Sequence, residues 1–192
     1  NLEYLNVGKN NMTGSLPQSL GQLTNLIALA FGENGFVGAI PPSLGNLKIL
    51  RLLDLSYNSL EGSIPSSFSG LKNLEHISLQ HNYYLNGTIS ALESLRGLKS
   101  LLLYNNSFSS TIPAGLFSFF GESKDSPVKS SIFADFGHNS FSGKLPDAFS
   151  RHANETGGLF EIAWRRLSSL CDVGTNTLTL FASLSLLGYH EE

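Results

Sequence analysis

Apolar and polar positions follow one another along the chain in a pattern that repeats. Residues 47–66 read LKILRLLDLSYNSLEGSIPS, with Leu47, Leu50, Leu53 and Leu55 two or three residues apart before Asn58. Within this unit apolar and polar residues alternate, which predicts a short strand with Leu53 and Leu55 facing inward and Asp54 facing outward. The asparagine recurs at intervals of 24 residues along most of the chain. A constant period of this length predicts a solenoid with one coil per repeat.

The recurring asparagines are predicted to be structural. The chain must turn at each of them, and an asparagine amide can bond backbone groups of its own coil and of the adjacent coil. The last interval is 33 residues, and its excess falls near residues 121–129, whose polar sequence with glycine and proline favours a surface loop. This asparagine ladder consists of Asn10, Asn34, Asn58, Asn82, Asn106 and Asn139.

A second signature follows the ladder asparagine in most repeats. Glycine there allows a tight backbone path, and proline removes a donor at a position where no ladder bond is available. This half of the repeat is therefore predicted to close the coil. The pairs are Gly14 with Pro17, Gly38 with Pro41, Gly62 with Pro65, and Ser110, in the glycine position, with Pro113.

The complete pattern, LxxLxxLxLxxNxLxGxIPxx from Leu47 onward, resembles the plant-specific class of leucine-rich repeat. The resemblance covers roughly three quarters of the chain. It implies an α/β fold class, a leucine-rich repeat solenoid with a parallel β-sheet on the concave face and short 3-10 or irregular segments on the convex side. Secreted members of the family begin with a paired-cysteine cap, whereas Asn1 already lies inside a repeat. We therefore expect the natural N-terminus to lie further upstream.

The repeats predict a division of the chain into residues 1–150, the repeat domain, and residues 151–192, a non-repeat C-terminal tail. Apolar residues at helix-like spacing within 159–171 favour a helical cap, because the last coil of a solenoid needs cover. The competing interpretation is a disordered tail that is foreign to the fold. The predicted repeats are residues 1–22, 23–46, 47–70, 71–94, 95–118 and 119–150, the last with the insertion near 121–129.

Composition narrows the range of functions. The net charge is −3 and charged residues make up 14% of the chain, so no broad electrostatic partner such as nucleic acid or an anionic membrane is indicated. Cys171 is the only cysteine, which excludes an internal disulfide. Sequons at Asn11, Asn86, Asn105 and Asn154 favour N-glycosylation and an extracellular location, although such triplets also arise by chance in a chain rich in Asn, Ser and Thr.

Outward-facing strand residues at the same offset from the ladder asparagine are predicted to form columns about 4.8 Å apart. Large hydrogen-bonding and aromatic side chains gather on this face in repeats three to six. Such side chains are enriched at interfaces, which predicts a binding surface, but any solenoid also needs soluble, β-compatible side chains there. The candidate ligand-binding residues are Asp54, Ser56, Tyr57, His76, Ser78, Gln80, His81, Leu102, Tyr104, Asp135 and His138.

Catalysis is not predicted. His76 and His81 with Asp54 invite a metal or acid–base interpretation, yet the pattern places them on an open, solvated sheet, and catalysis requires a site that excludes water. The sequence contains no P-loop, nucleophile elbow or kinase signature. No cofactor and no metal are predicted.

The resemblance implies an extracellular module that recognises proteins or peptides. It points to a fragment of the ectodomain of a plant leucine-rich-repeat receptor-like kinase or receptor-like protein, at the outer face of the plasma membrane or in the cell wall, signalling in development or defence. A peptide or protein ligand and a co-receptor would bind the concave face, and any kinase would lie outside this chain. One alternative is a secreted inhibitor resembling polygalacturonase inhibitors. Another is an ice-binding or purely structural repeat protein, which would need a regular Thr, Ser or Asn face that the irregular columns do not supply.

Overall fold

The computed structural model describes residues 1–116, 132–144 and 146, and the backbone of 160–163. The predicted insertion near 121–129 and most of the tail, with Asn154 and Cys171, lie outside the described residues. Within the described residues the chain forms short strands and 3-10 turns in a regular succession, one coil after another. The predicted solenoid is confirmed.

The first half of each coil contributes a strand to a seven-stranded parallel sheet. Its pairing places residues at equal offsets from the ladder asparagine side by side, for example Leu52 opposite His76 and His76 opposite Ser100. The predicted columns are therefore present. In spatial order the strands are β1 (Tyr4–Asn6), β3 (Ala28–Ala30), β5 (Leu52–Asp54), β7 (His76–Ser78), β9 (Ser100–Leu102), β11 (Ile132–Asp135) and β13 (Phe160–Ala163).

The second half of each coil forms a six-stranded parallel sheet that the sequence pattern did not predict. Its strands follow the ladder asparagine directly, where polar and glycine residues mask the alternation typical of a strand. The strands are β2 (Thr13–Ser15), β4 (Gly35–Ala39), β6 (Ser59–Ser63), β8 (Tyr84–Gly87), β10 (Ser107–Thr111) and β12 (Ser140–Ser142).

Short 3-10 helices close the coils, as the resemblance implied. The three longest, Gln18–Gln22, Pro42–Asn46 and Ser66–Gly70, each begin directly after the proline of the repeat signature. A fourth, Ser90–Leu92, lacks that proline and is shorter. Each proline is the N-cap residue, with an extended backbone, and its carbonyl accepts the first 3-10 hydrogen bond, as Pro17 O does from the Leu20 N–H at 3.1 Å.

Both sheets and the 3-10 helices bury their apolar side chains in one continuous core. The inward column of the seven-stranded sheet is fully buried through its middle coils. Burial of each such side chain contributes about 1.5–3 kcal/mol, so the core rather than any single hydrogen bond provides most of the stabilisation. This column consists of Leu29, Leu53, Ile77, Leu101 and Ala134.

The tail begins differently from the sequence prediction. The spacing within residues 159–171 favours a helix, but Phe160–Ala163 form a strand that pairs in parallel with β11. The exposed edge of β11 offers unpaired backbone donors and acceptors, and a strand satisfies them where a helix would not. The division of the chain at residue 150 stays a prediction.

Ser110 is expected to weaken the fold. It has a φ of +77° where five other coils have glycine at 76–90°. A non-glycine residue in this region costs about 1–2 kcal/mol, and the extra freedom of glycine in the unfolded chain offsets about 0.4–1 kcal/mol of that. We therefore expect Ser110→Gly to raise the free energy of unfolding by about 0.5–1 kcal/mol, measured by urea denaturation.

The matched control is Ser109→Gly, in the same strand but without positive φ. Here glycine only adds freedom to the unfolded chain, so the free energy of unfolding should fall by about 0.5–1 kcal/mol. Changes of the same sign in both variants would contradict the explanation from backbone strain.

Candidate functional site

The ladder asparagines form one continuous hydrogen-bonded chain along the described coils. One carbonyl in each of the first five coils accepts from two successive amides: Leu55 O, for example, accepts from Asn58 Nδ2 at 3.1 Å and from Asn82 Nδ2 at 2.9 Å. From Asn34 onward each side-chain oxygen accepts from a backbone N–H of the preceding coil, as Asn82 Oδ1 does from the Leu60 N–H at 3.0 Å. Asn58, Asn82 and Asn106 are buried. These side chains hold the coils together and offer nothing to a ligand.

Both candidate carboxylates, Asp54 and Asp135, accept hydrogen bonds from the backbone. Asp54 Oδ1 accepts from the N–H of Ser56 at 3.0 Å, and Asp135 Oδ1 accepts from the N–H of Gly137 at 2.9 Å. Such turns are a common use of Asp. Ser56 is only 5% exposed, and its hydroxyl donates to Asp54. Ser56 is therefore removed from the binding surface, and Asp54 and Asp135 belong to its framework.

Four rings line one side of the seven-stranded sheet and touch in sequence. Tyr57 stacks on His81 with ring centroids 4.2 Å apart and planes 17° apart. Tyr104 lies 5.3 Å from His81 and 4.8 Å from His138. We refer to Tyr57, His81, Tyr104 and His138 as the aromatic row. The columns predicted that Tyr57, His81 and Tyr104 adjoin, but neither the contact with His138 nor the stacking of the rings.

The backbone that presents this row is strained in every coil. Tyr57, His81 and His138 have φ of 50°, 58° and 49°, and Lys9 and Glu33 in the first coils have 56° and 55°. Bulky residues rarely adopt this conformation. Because coils without aromatic residues share it, the conformation is a property of the fold. It gives the residue before each ladder asparagine a common orientation, which places Tyr57, His81 and His138 in line. Tyr104 stands one position earlier in its coil, where Asn105 has the positive φ.

The protonation state of His81 is set by its neighbours in the aromatic row. Asn105 Nδ2 lies 3.0 Å from His81 Nδ1, and since an amide nitrogen only donates, this contact requires an unprotonated Nδ1. Burial, and secondly the nearby His138, lower the pKa of His81 below its ordinary value of 6.5. His81 is accordingly neutral at neutral pH.

The lowered pKa of His81 predicts acid sensitivity. The unfolded chain binds a proton at this histidine more readily than the folded chain, so stability rises with pH in this range. The contribution of His81 is complete above pH 6.5 and is lost as the pH falls toward the lower folded pKa. We expect His81→Asn to reduce the loss of stability between about pH 7.5 and about pH 5, measured as urea midpoints. An unchanged slope would contradict the prediction.

A row of ion pairs, which the sequence analysis did not predict, lies where the strands of the same sheet begin, whereas the aromatic row lies beyond the ends of these strands. Arg51 Nε donates to Glu75 Oε1 at 2.8 Å, and Lys99 Nζ lies 2.8 Å from Glu75 Oε2. The hydrogen bond from Lys99, and less strongly that from Arg51, lowers the pKa of Glu75 against the opposing effect of burial. The signal was present in the sequence, because these three residues stand 24 positions apart with alternating charge.

Between the two rows lie the remaining candidates. His76, Ser78, Gln80 and Leu102 are all partly exposed, and the pairing of β7 with β9 places Ser78 directly beside Leu102. Gln80 Oε1 is buried and, among the described residues, lacks a hydrogen-bond partner. The middle of the face is thus half-buried.

Neither a metal cluster nor a membrane span is found in the part of the chain that the structure describes. No group of three or more His, Cys, Asp or Glu side chains there could hold a metal ion. Helices long and apolar enough to cross a membrane are likewise absent from these residues.

Two parallel sheets joined by an asparagine ladder define the class of protein as a leucine-rich repeat solenoid. Two leucine rich repeat family models match, one at residues 33–83 and the other at residues 1–23 and 97–119. The ectodomain of the receptor kinase SOBIR1 from Arabidopsis thaliana is 32% identical, with a TM-score of 0.64 and 73% of each chain covered. The chain belongs to the leucine-rich repeat family and is of the plant receptor type.

Longer receptors are also similar. A TDR receptor is 40% identical over 85% of this chain and 26% of its own, with a TM-score of 0.72. The Arabidopsis thaliana receptor kinase HAESA, in complex with the peptide hormone IDA and the co-receptor SERK1, is 34% identical over 89% of this chain and 27% of its own, with a TM-score of 0.67. The chain thus spans about a quarter of these two receptors. A comparison with curated proteins finds no match.

Proposed function

We propose that this chain is a segment of an extracellular plant receptor and that its seven-stranded sheet binds an extended peptide or protein segment along the aromatic row. The observation that carries the proposal is the continuous contact of Tyr57, His81, Tyr104 and His138 on one sheet face. Tyrosine and histidine rings provide apolar contact area and a polar tip at low entropic cost, as binding surfaces require.

The dimensions of the row fit an extended chain. Adjacent strands of a sheet lie about 4.8 Å apart, so four rings span about 14 Å, whereas an extended peptide advances about 3.3 Å per residue. A segment of about five residues therefore covers the row.

The similar receptors support a peptide or protein as the ligand. HAESA binds the peptide hormone IDA together with SERK1, and PEPR1 is known in complex with AtPEP1. By analogy we propose a co-receptor as a second partner, a location outside the cell, and a role in signalling without catalysis by this chain. The inhibitor alternative shares a protein partner, but no specific contact of the described residues favours it.

The test begins with peptides selected from a displayed random library against the secreted 192-residue chain. Hydrogen exchange of the chain with and without a selected peptide then locates binding. We expect added protection in β7, β9 and the segments that carry Tyr57 and Tyr104. Protection confined to the six-stranded sheet, or failure to select any peptide, would overturn the proposal.

A further inference from the structure

We infer that the fold separates the sequons of the described chain into two kinds: Asn11 and Asn86 carry N-linked glycans, and Asn105 stays unmodified. The inference rests on the proposed extracellular location, because only secreted chains meet the glycosylation machinery. In this reaction Nδ2 of the asparagine bonds to the anomeric carbon of a sugar held on a lipid diphosphate. The bond from that carbon to the diphosphate oxygen breaks, and the displaced amide proton leaves with the diphosphate.

Asn86 projects from the six-stranded sheet and is exposed. Its Nδ2 donates to Tyr84 O at 3.1 Å. A glycosylated asparagine keeps one N–H, so this bond can persist after modification. Tyr84 beside it on β8 is 64% exposed, and a glycan at Asn86 would cover apolar surface that otherwise faces water.

Asn11 has open space around it. It is exposed, and its side chain makes no hydrogen bond to any described residue. A depression of about 470 Å³ lies beside it, lined by residues that include Thr13, Glu33 and Tyr57. The first sugar of a glycan on Asn11 would border this depression. The amide, hydroxyl and carboxylate groups of the lining can hydrogen-bond the hydroxyls of that sugar. The tyrosine ring offers a surface for the apolar face of the sugar.

Asn105 is in the opposite situation. It is partly buried, has a φ of 58°, and uses Nδ2, the atom that would bond to the sugar, in its contact with His81. A sugar bonded to Nδ2 would extend past the rings of His81 and Tyr104 and would cover the aromatic row. A chain modified at this position could neither pack the row as observed nor bind a ligand there.

The two sheets would therefore differ in glycosylation. Glycans at Asn86 and Asn11 occupy the six-stranded sheet and the edge at the first coils. The face of the seven-stranded sheet from His81 to His138 stays bare, and only Tyr57, at the end of the aromatic row, borders the depression beside Asn11. A protein partner therefore has access to the aromatic row and not to the outer face of β8.

The experiment secretes the full chain from plant cells and maps each sequon by mass spectrometry, after enzymatic deglycosylation in heavy-oxygen water, which labels every asparagine that carried a glycan. We expect the label at Asn11 and Asn86 and none at Asn105. Thr13→Ala and Thr88→Ala each remove a sequon without altering its asparagine, and each should lose the mass of one glycan. Ser107→Ala, which removes the third sequon, should leave the mass unchanged.

A glycan at Asn105, or its absence at Asn11 or Asn86 in the secreted chain, would overturn the inference. Binding of a library-selected peptide is measured on the same preparation, which separates this inference from the proposed function. Peptide binding with a glycan at Asn105 refutes the inference alone. The expected glycans without peptide binding refute the proposed function alone.

Discussion

Replacing Asn82 by alanine is expected to lower the free energy of unfolding by about 3 kcal/mol or more. Asn82 is fully buried and stands in the middle of the asparagine ladder. Its loss leaves the N–H of buried Leu60 without its acceptor, which costs about 1–3 kcal/mol. The carbonyls of Leu55 and Leu79 each lose one of two donors, and the vacated space adds a cavity. Urea denaturation measures the change.

Asn10→Ala is the matched control, because it removes the same side chain at the exposed end of the ladder. Asn10 Nδ2 donates only to Val7 O and Gly8 O, both near solvent. Water can replace these bonds, so the expected loss is below about 1 kcal/mol. Similar losses in both variants would show that burial and the bridging of two coils do not set the strength of the ladder.

The repeat architecture was predictable because its causes lie within one coil. Leu53 and Leu55 face the core since they alternate with polar neighbours. Asn58 follows them, and an asparagine stands at the same position in the other repeats. Identical coils can stack in only one register, so the columns follow from the spacing alone. The fold class and the composition of the exposed face of the seven-stranded sheet therefore follow from the sequence alone.

The remaining features depend on contacts and backbone conformations that the spacing of residues along one repeat does not reveal. Ser56 is an outward residue by alternation, yet its hydroxyl turns to Asp54 and the side chain is buried. The stacking of Tyr57 on His81 depends on the left-handed backbone before each ladder asparagine. The strand Phe160–Ala163 depends on the free edge of β11, which local spacing cannot show.

Tyr104→Ala is expected to weaken binding of a library-selected peptide at least about tenfold, or about 1.4 kcal/mol. Tyr104 lies between His81 and His138, so its removal breaks the aromatic row in the middle. Truncation of a central aromatic residue commonly costs about 2 kcal/mol or more of binding energy. Isothermal titration calorimetry with the wild-type chain and the variant measures the change.

Two controls separate binding from folding. Tyr104→Phe keeps the ring and its contacts with both histidines, so its affinity should stay within about threefold of the wild type if ring contact rather than the hydroxyl supplies the energy. Tyr84→Ala removes an equally large ring that is 64% exposed on the six-stranded sheet, and it should leave affinity unchanged. Tyr104 is only partly buried, so its alanine variant should still unfold cooperatively. If that variant is folded and binds the peptide as tightly as the wild type, the aromatic row is not the binding site; if Tyr84→Ala alone loses affinity, the ligand binds the six-stranded sheet.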